Sequence, residues 1–140
     1  MIAVACAWHE SHEKALSEVN KRIARRERMV VAAPALIETY AVLTRLPAPH
    51  RMSPRDARSL LEANFIKDTK IFALTPNAYV SLIKGSANDT VARGRTYDAV
   101  VAACAIKAKV SVILTFNPGD FSAVADESIE VVVPALNNTD

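Results

Sequence analysis

Residues 94–121 read GRTYDAVVAACAIKAKVSVILTFNPGDF. The order is a helix, a tight turn, a strand and a polar loop. Asp98 stands at the start of the helix, and Asn117 and Asp120 stand just past the end of the strand. Nearly everything between them is apolar. A helix that packs back on its own following strand brings the strand's end beside the helix's start. Two acidic side chains then meet at one edge of a sheet.

Working outward, the same alternation recurs. MVVAA (29–33) and KIFAL (70–74) are short continuous apolar runs, as expected of strands buried on both faces. VSVILTF (110–116) and IEVVVP (129–134) complete a set of four. Helical segments separate them. Residues 3–26 form one predicted helix, with Leu16, Val19 and Ile23 at helical spacing. Pro34 opens a second, which ends before Pro47 and Pro49. Ser53-Pro54 caps a third through about residue 66, and Thr75-Pro76 repeats that signature for a fourth through about residue 84. GSANDTVARG (85–94) reads as a loop, and NPGDF (117–121) as another. Strands alternating with helices predict an α/β fold with a mainly parallel sheet covered on both faces. Ligand sites in such sheets lie beyond the carboxyl ends of the strands.

Composition sets the limits. The chain of 140 residues has a hydrophobic fraction of 51% and only 3 glycines, which suits a single domain over residues 1–140 with a frayed tail at 136–140. No apolar run approaches the roughly 20 residues that span a bilayer. The N-terminus lacks the basic segment of a signal peptide, and His9, Glu10, His12 and Glu13 follow too soon. Cys6 and Cys104 sit in apolar helical contexts and read as buried reduced thiols of a cytoplasmic protein. The net charge of +2 neither demands nor excludes a nucleic-acid partner. The basic run Lys21, Arg22, Arg25, Arg26 and Arg28 either opposes the negative end of a helix dipole or contributes to phosphate binding.

Three carboxylates are out of place. Asp98 has Val101, Ala102 and Ala105 at i+3, i+4 and i+7, so it lies on or beside the stripe that faces the sheet. Glu38 is flanked by Leu36, Ile37, Tyr40, Val42 and Leu43 and is the one acid of its helix. Asp120 follows Pro118-Gly119. Each has a plain explanation: dipole partner, exposed side chain beside Arg45, and turn residue. Together they weigh more. Carboxylates within about 4 Å repel by roughly 4 kcal/mol at an effective dielectric of about 20. Such a cluster is kept only where something positive occupies it, and hard divalent cations are the natural occupant. His9 and His12 in HESHE stand at i, i+3, which does not match H-E-x-x-H; they read as structural or surface residues, and Trp8 as a packing residue.

PALIETYAVLTRLP (34–47), GRTYDAVVAACA (94–105) and LTFNPGDF (114–121) resemble the motif set of PIN domains, in particular the VapC-type toxins of bacterial toxin–antitoxin pairs. WHESHEKAL (8–16) is similar to that family's first helix. The resemblance covers nearly the whole chain. It implies a three-layer α/β/α fold and an Mg²⁺- or Mn²⁺-dependent endoribonuclease. By motif position Glu38, Asp98 and Asp120 match the family's acids, with Asn117 the polar residue before the last. The bound metal would activate a water for attack on phosphorus. Arg93, Arg95 and Lys84 lie near the site in sequence as candidate contacts to the RNA backbone. The family also implies a small antitoxin covering the acidic site, and a homodimer.

One departure stands out. The family begins with a strand ending in an aspartate, in the middle of the sheet. Here Met1 leads directly into IAVACAWHE, which is similar to the helix itself. Losing a central strand forfeits about 1.5–3 kcal/mol for each large side chain it buries. That rivals a domain's whole stability of about 5–15 kcal/mol. The expectation is an upstream start or a partner that fills the gap. The competing reading is a degenerate PIN-like module that binds RNA or antitoxin without cleaving; a ligand-free helical scaffold is disfavoured by the clustered acids.

Overall fold

The structure, a computed structural model, describes residues 1–85, 95–122 and 128–136. Residues 86–94, 123–127 and 137–140 fall outside the described residues, and with them most of the loop expected at 85–94 and of the frayed tail expected at 136–140. The chain divides into two compact units, Met1–Ile71 with Pro134–Asp140, and Phe72–Val133.

The first unit begins with two helices in place of the single one predicted. α1 spans Ile2–Ala5 and α2 spans His12–Ala24. The break falls at Cys6, which is extended (φ −111, ψ 107). Local polar groups explain it. The Ser11 amide donates to His9 Nδ1 at 3.1 Å, and His12 Nδ1 bonds the Ala3 carbonyl at 2.9 Å. A carbonyl only accepts, so this bond requires the proton on Nδ1. Side chains that bond nearby backbone in this way compete with the helical ladder. Both histidines are thus structural, as read from the sequence. Trp8 does not pack inside; it is 42% exposed and stacks on His50 with ring centroids 4.3 Å apart.

The buried face of α2 also differs from the predicted stripe. Ala15 and Glu18 are buried, whereas Leu16 and Ile23 are exposed. Glu18 tolerates burial because Arg22 pairs with it at 2.7 Å, with Lys21 at 3.8 Å.

β1 (Val30–Ala32) leads into α3 (Ala33–Arg45), with Pro34 in the first turn. α4 (Pro54–Leu61) starts at Ser53, whose Oγ accepts from the Asp56 amide at 3.1 Å and donates to the Asp56 carboxylate at 2.7 Å. A π-helical turn, Glu62–Ile66, continues it to the predicted end. β2 spans Lys70–Phe72. Leu43, fully buried, forms one core with Cys6 and Ala57; Val31, Leu61 and Phe65 form another.

The second unit holds the stretch that opened the sequence reading. α5 spans Pro76–Gly85, its start tied by the Ala78 amide to Thr75 Oγ1 at 3.3 Å. α6 spans Arg95–Ala108. It closes with the Val110 amide on the Ala105 carbonyl at 3.1 Å, while Lys109 takes a left-handed φ of 56. That reversal sends the chain into β3 (Val112–Leu114). β4 (Glu130–Val132) lies parallel to β3, with Ile113 opposite Val131. Between them Pro118–Ser122 forms a short helix, α7, where a loop was expected. Pro118 suits a first helical position and Asp120 the positive end of the dipole, so the local sequence favours the turn. Ala102, Ala105, Ile113, Phe121 and Ile129 form the core.

The class is α/β with parallel strands, as predicted. Among the described residues the four strands appear in the expected places and pair as β1–β2 and β3–β4.

Candidate active site

α6 carries Asp98 in its first turn. The neighbours that follow it inward are small: Ala99, Ala102 and Ala105 are all buried. A seam of alanines lets the helix backbone lie close to β3 and α7, and Asp98 is held half-buried at its top. α7 packs against α6 and brings Asp120 into range. Burial raises the Asp98 pKa above the ordinary carboxylate value, and the neighbouring Asp120 charge raises it further. The folded chain therefore brings together the two aspartates that the sequence placed at one edge.

The turn between β3 and α7 sets the position of Asp120. The Thr115 amide donates to the Val132 carbonyl at 3.1 Å, which extends the parallel ladder one residue beyond β3. Thr115 Oγ1 then accepts from the Asn117 amide at 3.0 Å, and the Asp120 amide donates to the Asn117 carbonyl at 3.1 Å. Thr115 is thus a shaping residue that the sequence reading passed over. Its signal was a threonine two residues before Asn117, the spacing of a hydroxyl-to-backbone turn. Asn117 is exposed at the mouth of this turn.

Glu38 belongs to the first unit, in the second turn of α3. It is exposed and makes no ion pair among the described residues, Arg45 included. It stands near the Met1 amino group: burial lowers that group's pKa, and Cys6 and Glu38 oppose the fall. Lys84 is exposed in the last turn of α5. Arg93 lies outside the described residues, and of Arg95 only the backbone is described, opening α6.

Among the described residues no group of three or more His, Cys, Asp or Glu side chains gathers as a metal-ligand set. What exists is a pair of aspartates with an amide side chain on the adjoining turn. All are hard oxygen donors, and Mg²⁺ typically takes one or two carboxylates and leaves the rest of its shell to water and phosphate. Asp98, Asp120 and Asn117 fit such an ion.

Residues 1–127 match the family model for the PIN domain. Over 101 residues the chain is 37% identical to Ribonuclease VapC40 of Mycobacterium tuberculosis strain CDC 1551 / Oshkosh, covering 72% of this chain and 69% of that protein. Ribonuclease VapC40 of strain ATCC 25618 / H37Rv aligns with the same identity and coverage. No solved structure matches. The match spans most of both chains, and this protein belongs to the PIN-domain family as a VapC-type member.

Proposed function

We propose that this chain is a metal-dependent endoribonuclease, the toxin of a type II toxin–antitoxin pair, built as a single PIN domain across both units. The observation that carries the reading is the pairing of Asp98 with Asp120 at the end of β3. Asp98, whose ionisation is opposed by burial and by the neighbouring carboxylate, would be stabilised by a cation, and a raised pKa in such a setting marks a functional candidate. The identity to a named ribonuclease supports the substrate class.

Asp98 and Asp120 would hold the ion and Asn117 would add an amide oxygen; Glu38 is the further acid that the family motif implies. The chemistry supplied by a bound Mg²⁺ or Mn²⁺ would be a water of lowered pKa and neutralised charge on the scissile phosphate. The small residues beneath Asp98 fix its carboxylate. Arg93, Arg95 and Lys84 contact the RNA backbone. A small antitoxin covers the acids, and the active form is a homodimer in the cytoplasm. No helix among the described residues is long and apolar enough to cross a membrane.

The test is cleavage of single-stranded RNA with and without Mg²⁺. Asp98→Asn is expected to lower the rate by at least about a hundredfold, more than the 10–100-fold typical of removing a metal ligand's supporting partner. Glu38→Gln is expected to lower it as well. Undiminished cleavage by Asp98→Asn would sink the site assignment. RNA bound but never cut, whatever the metal, would make the chain a binding module.

A further inference from the structure

The first unit carries two clusters of arginine, and they differ in what neutralises them. At the end of α2, Arg22 is held between Glu18 at 2.7 Å and Glu27 at 2.9 Å, which places carboxylates inside that basic run. On α4, Arg55 and Arg58 stand at i, i+3 on one face and make no ion pair among the described residues. The nearest acid in sequence, Asp56, is engaged with Ser53 at the helix cap. The two guanidinium groups open instead onto a concavity of about 520 Å³ lined by Tyr40, Pro54, Arg55 and Arg58. Tyr40, on α3, is 36% exposed there.

This composition has a chemical meaning. Guanidinium forks match phosphate oxygens bidentately, and a pair with no carboxylate partner has that capacity unspent. An exposed tyrosine ring beside them offers a stacking face to a base of any identity. The volume lies in the range of small-ligand sites. We propose that Tyr40, Arg55 and Arg58 form a subsite for single-stranded RNA, with one or two phosphates on the arginines and a base on Tyr40. The proposal rests on the reading of this chain as a protein that handles RNA. A cluster that read phosphate alone would not need the ring, and one that merely kept the surface soluble would not need the concavity.

The test uses the full chain and a fluorescein-labelled single-stranded oligoribonucleotide in EDTA, so that binding is read without cleavage. Anisotropy is followed across a salt series. Arg55→Glu/Arg58→Glu is expected to weaken binding at least tenfold and to flatten the log–log salt slope by about 1.4, the figure for two phosphate contacts on a single strand at about 0.7 each. Tyr40→Ala is expected to weaken binding by about fivefold or more, with the slope unchanged. Lys14→Glu/Lys67→Glu, at exposed cations that do not line the concavity, serves as the charge-matched control and is expected to cost less than about threefold, since screened attraction from charges outside the subsite is weak. Thermal melts check folding, and Arg55→Gln/Arg58→Gln replaces the reversal if that variant fails to fold.

Unchanged affinity on losing the arginines overturns the proposal, and so does an equal loss in the control. If the arginine variants bind RNA normally but lose self-association or an acidic peptide, the concavity is a protein-docking surface and the proposal falls. Arginine-dependent binding by a chain that never cleaves would keep this subsite and remove the nuclease reading. Asp98-dependent cleavage with intact binding by the arginine variants would do the reverse.

Discussion

α3 and α6 are helices of similar length that carry a candidate acid in their first two turns, yet they seat it differently. α3 is anchored by one large side chain, Leu43, fully buried with Cys6 and Ala57. Glu38 on this helix is exposed, near the Met1 amino group. α6 is anchored by a row of small ones, Ala99, Ala102 and Ala105, and its acid is drawn partly under cover beside a second carboxylate. The difference teaches that packing style decides what an acid can do. A large knob holds a helix at a distance and leaves its rim solvated. An alanine seam pulls the backbone in, desolvates the rim and makes close charge pairs unavoidable.

Three variants bear on this contrast. Leu43→Ala is expected to cost about 2–5 kcal/mol of unfolding free energy, the range for emptying a buried leucine site. Denaturant melts would show it, and the folded fraction should keep its RNA cleavage per molecule. A stable variant with lost cleavage would mean that α3 positions the site as tightly as α6 does. Ala102→Leu in the seam is expected to cost less in stability, about 1–3 kcal/mol from overpacking. It should cost more in function, because the helix that carries Asp98 must shift outward. Unaltered metal-dependent cleavage in that variant would dissolve the distinction between knob and seam.

The smallest effect is the opposite in sign. Asp98 has a raised pKa in the folded chain, so its ionisation opposes folding. That penalty is absent below the unfolded carboxylate pKa. It develops as pH rises through the folded value and is constant above it. At neutral pH without metal, Asp98→Asn should therefore raise Tm by a few degrees or less, and the gain should vanish on acidification. Mg²⁺ should stabilise the native chain and not this variant, since an ion that binds only the folded state adds stability by mass action. A destabilised Asp98→Asn would show that the carboxylate is held by hydrogen bonds and not merely tolerated.

These helices are unevenly legible in the sequence, for physical reasons. Caps made of a hydroxyl residue before proline, at Ser53-Pro54 and Thr75-Pro76, announced α4 and α5 because the signal is local. The pairing of Asp98 with Asp120 was legible because a helix followed at once by its strand has few ways to return. The break at Cys6 was not, because it depends on imidazole bonds to backbone that periodicity does not register. The inward turn of Glu18 was missed for a related reason: its apolar neighbours won the hydrophobic count, while Arg22 removed the cost of burying the charge. NPGD read as a loop because proline and glycine punctuate chains, but proline in a first turn starts a helix as readily as it ends one. Which strands pair was hidden because strand positions say nothing of which edges are joined.

Each compact unit carries one cysteine, Cys6 in Met1–Ile71 and Cys104 in Phe72–Val133. Both are free and buried, and burial pushes both thiols above their ordinary pKa. Only a thiolate attacks an electrophile, so a maleimide or a cellular oxidant meets two inert sulfurs while the chain is folded. Labelling then requires opening, and peptide mapping of the label reports which unit opened. The wild-type sequence thus contains its own pair of unfolding probes, one per unit, with no engineered residue between the measurement and the molecule.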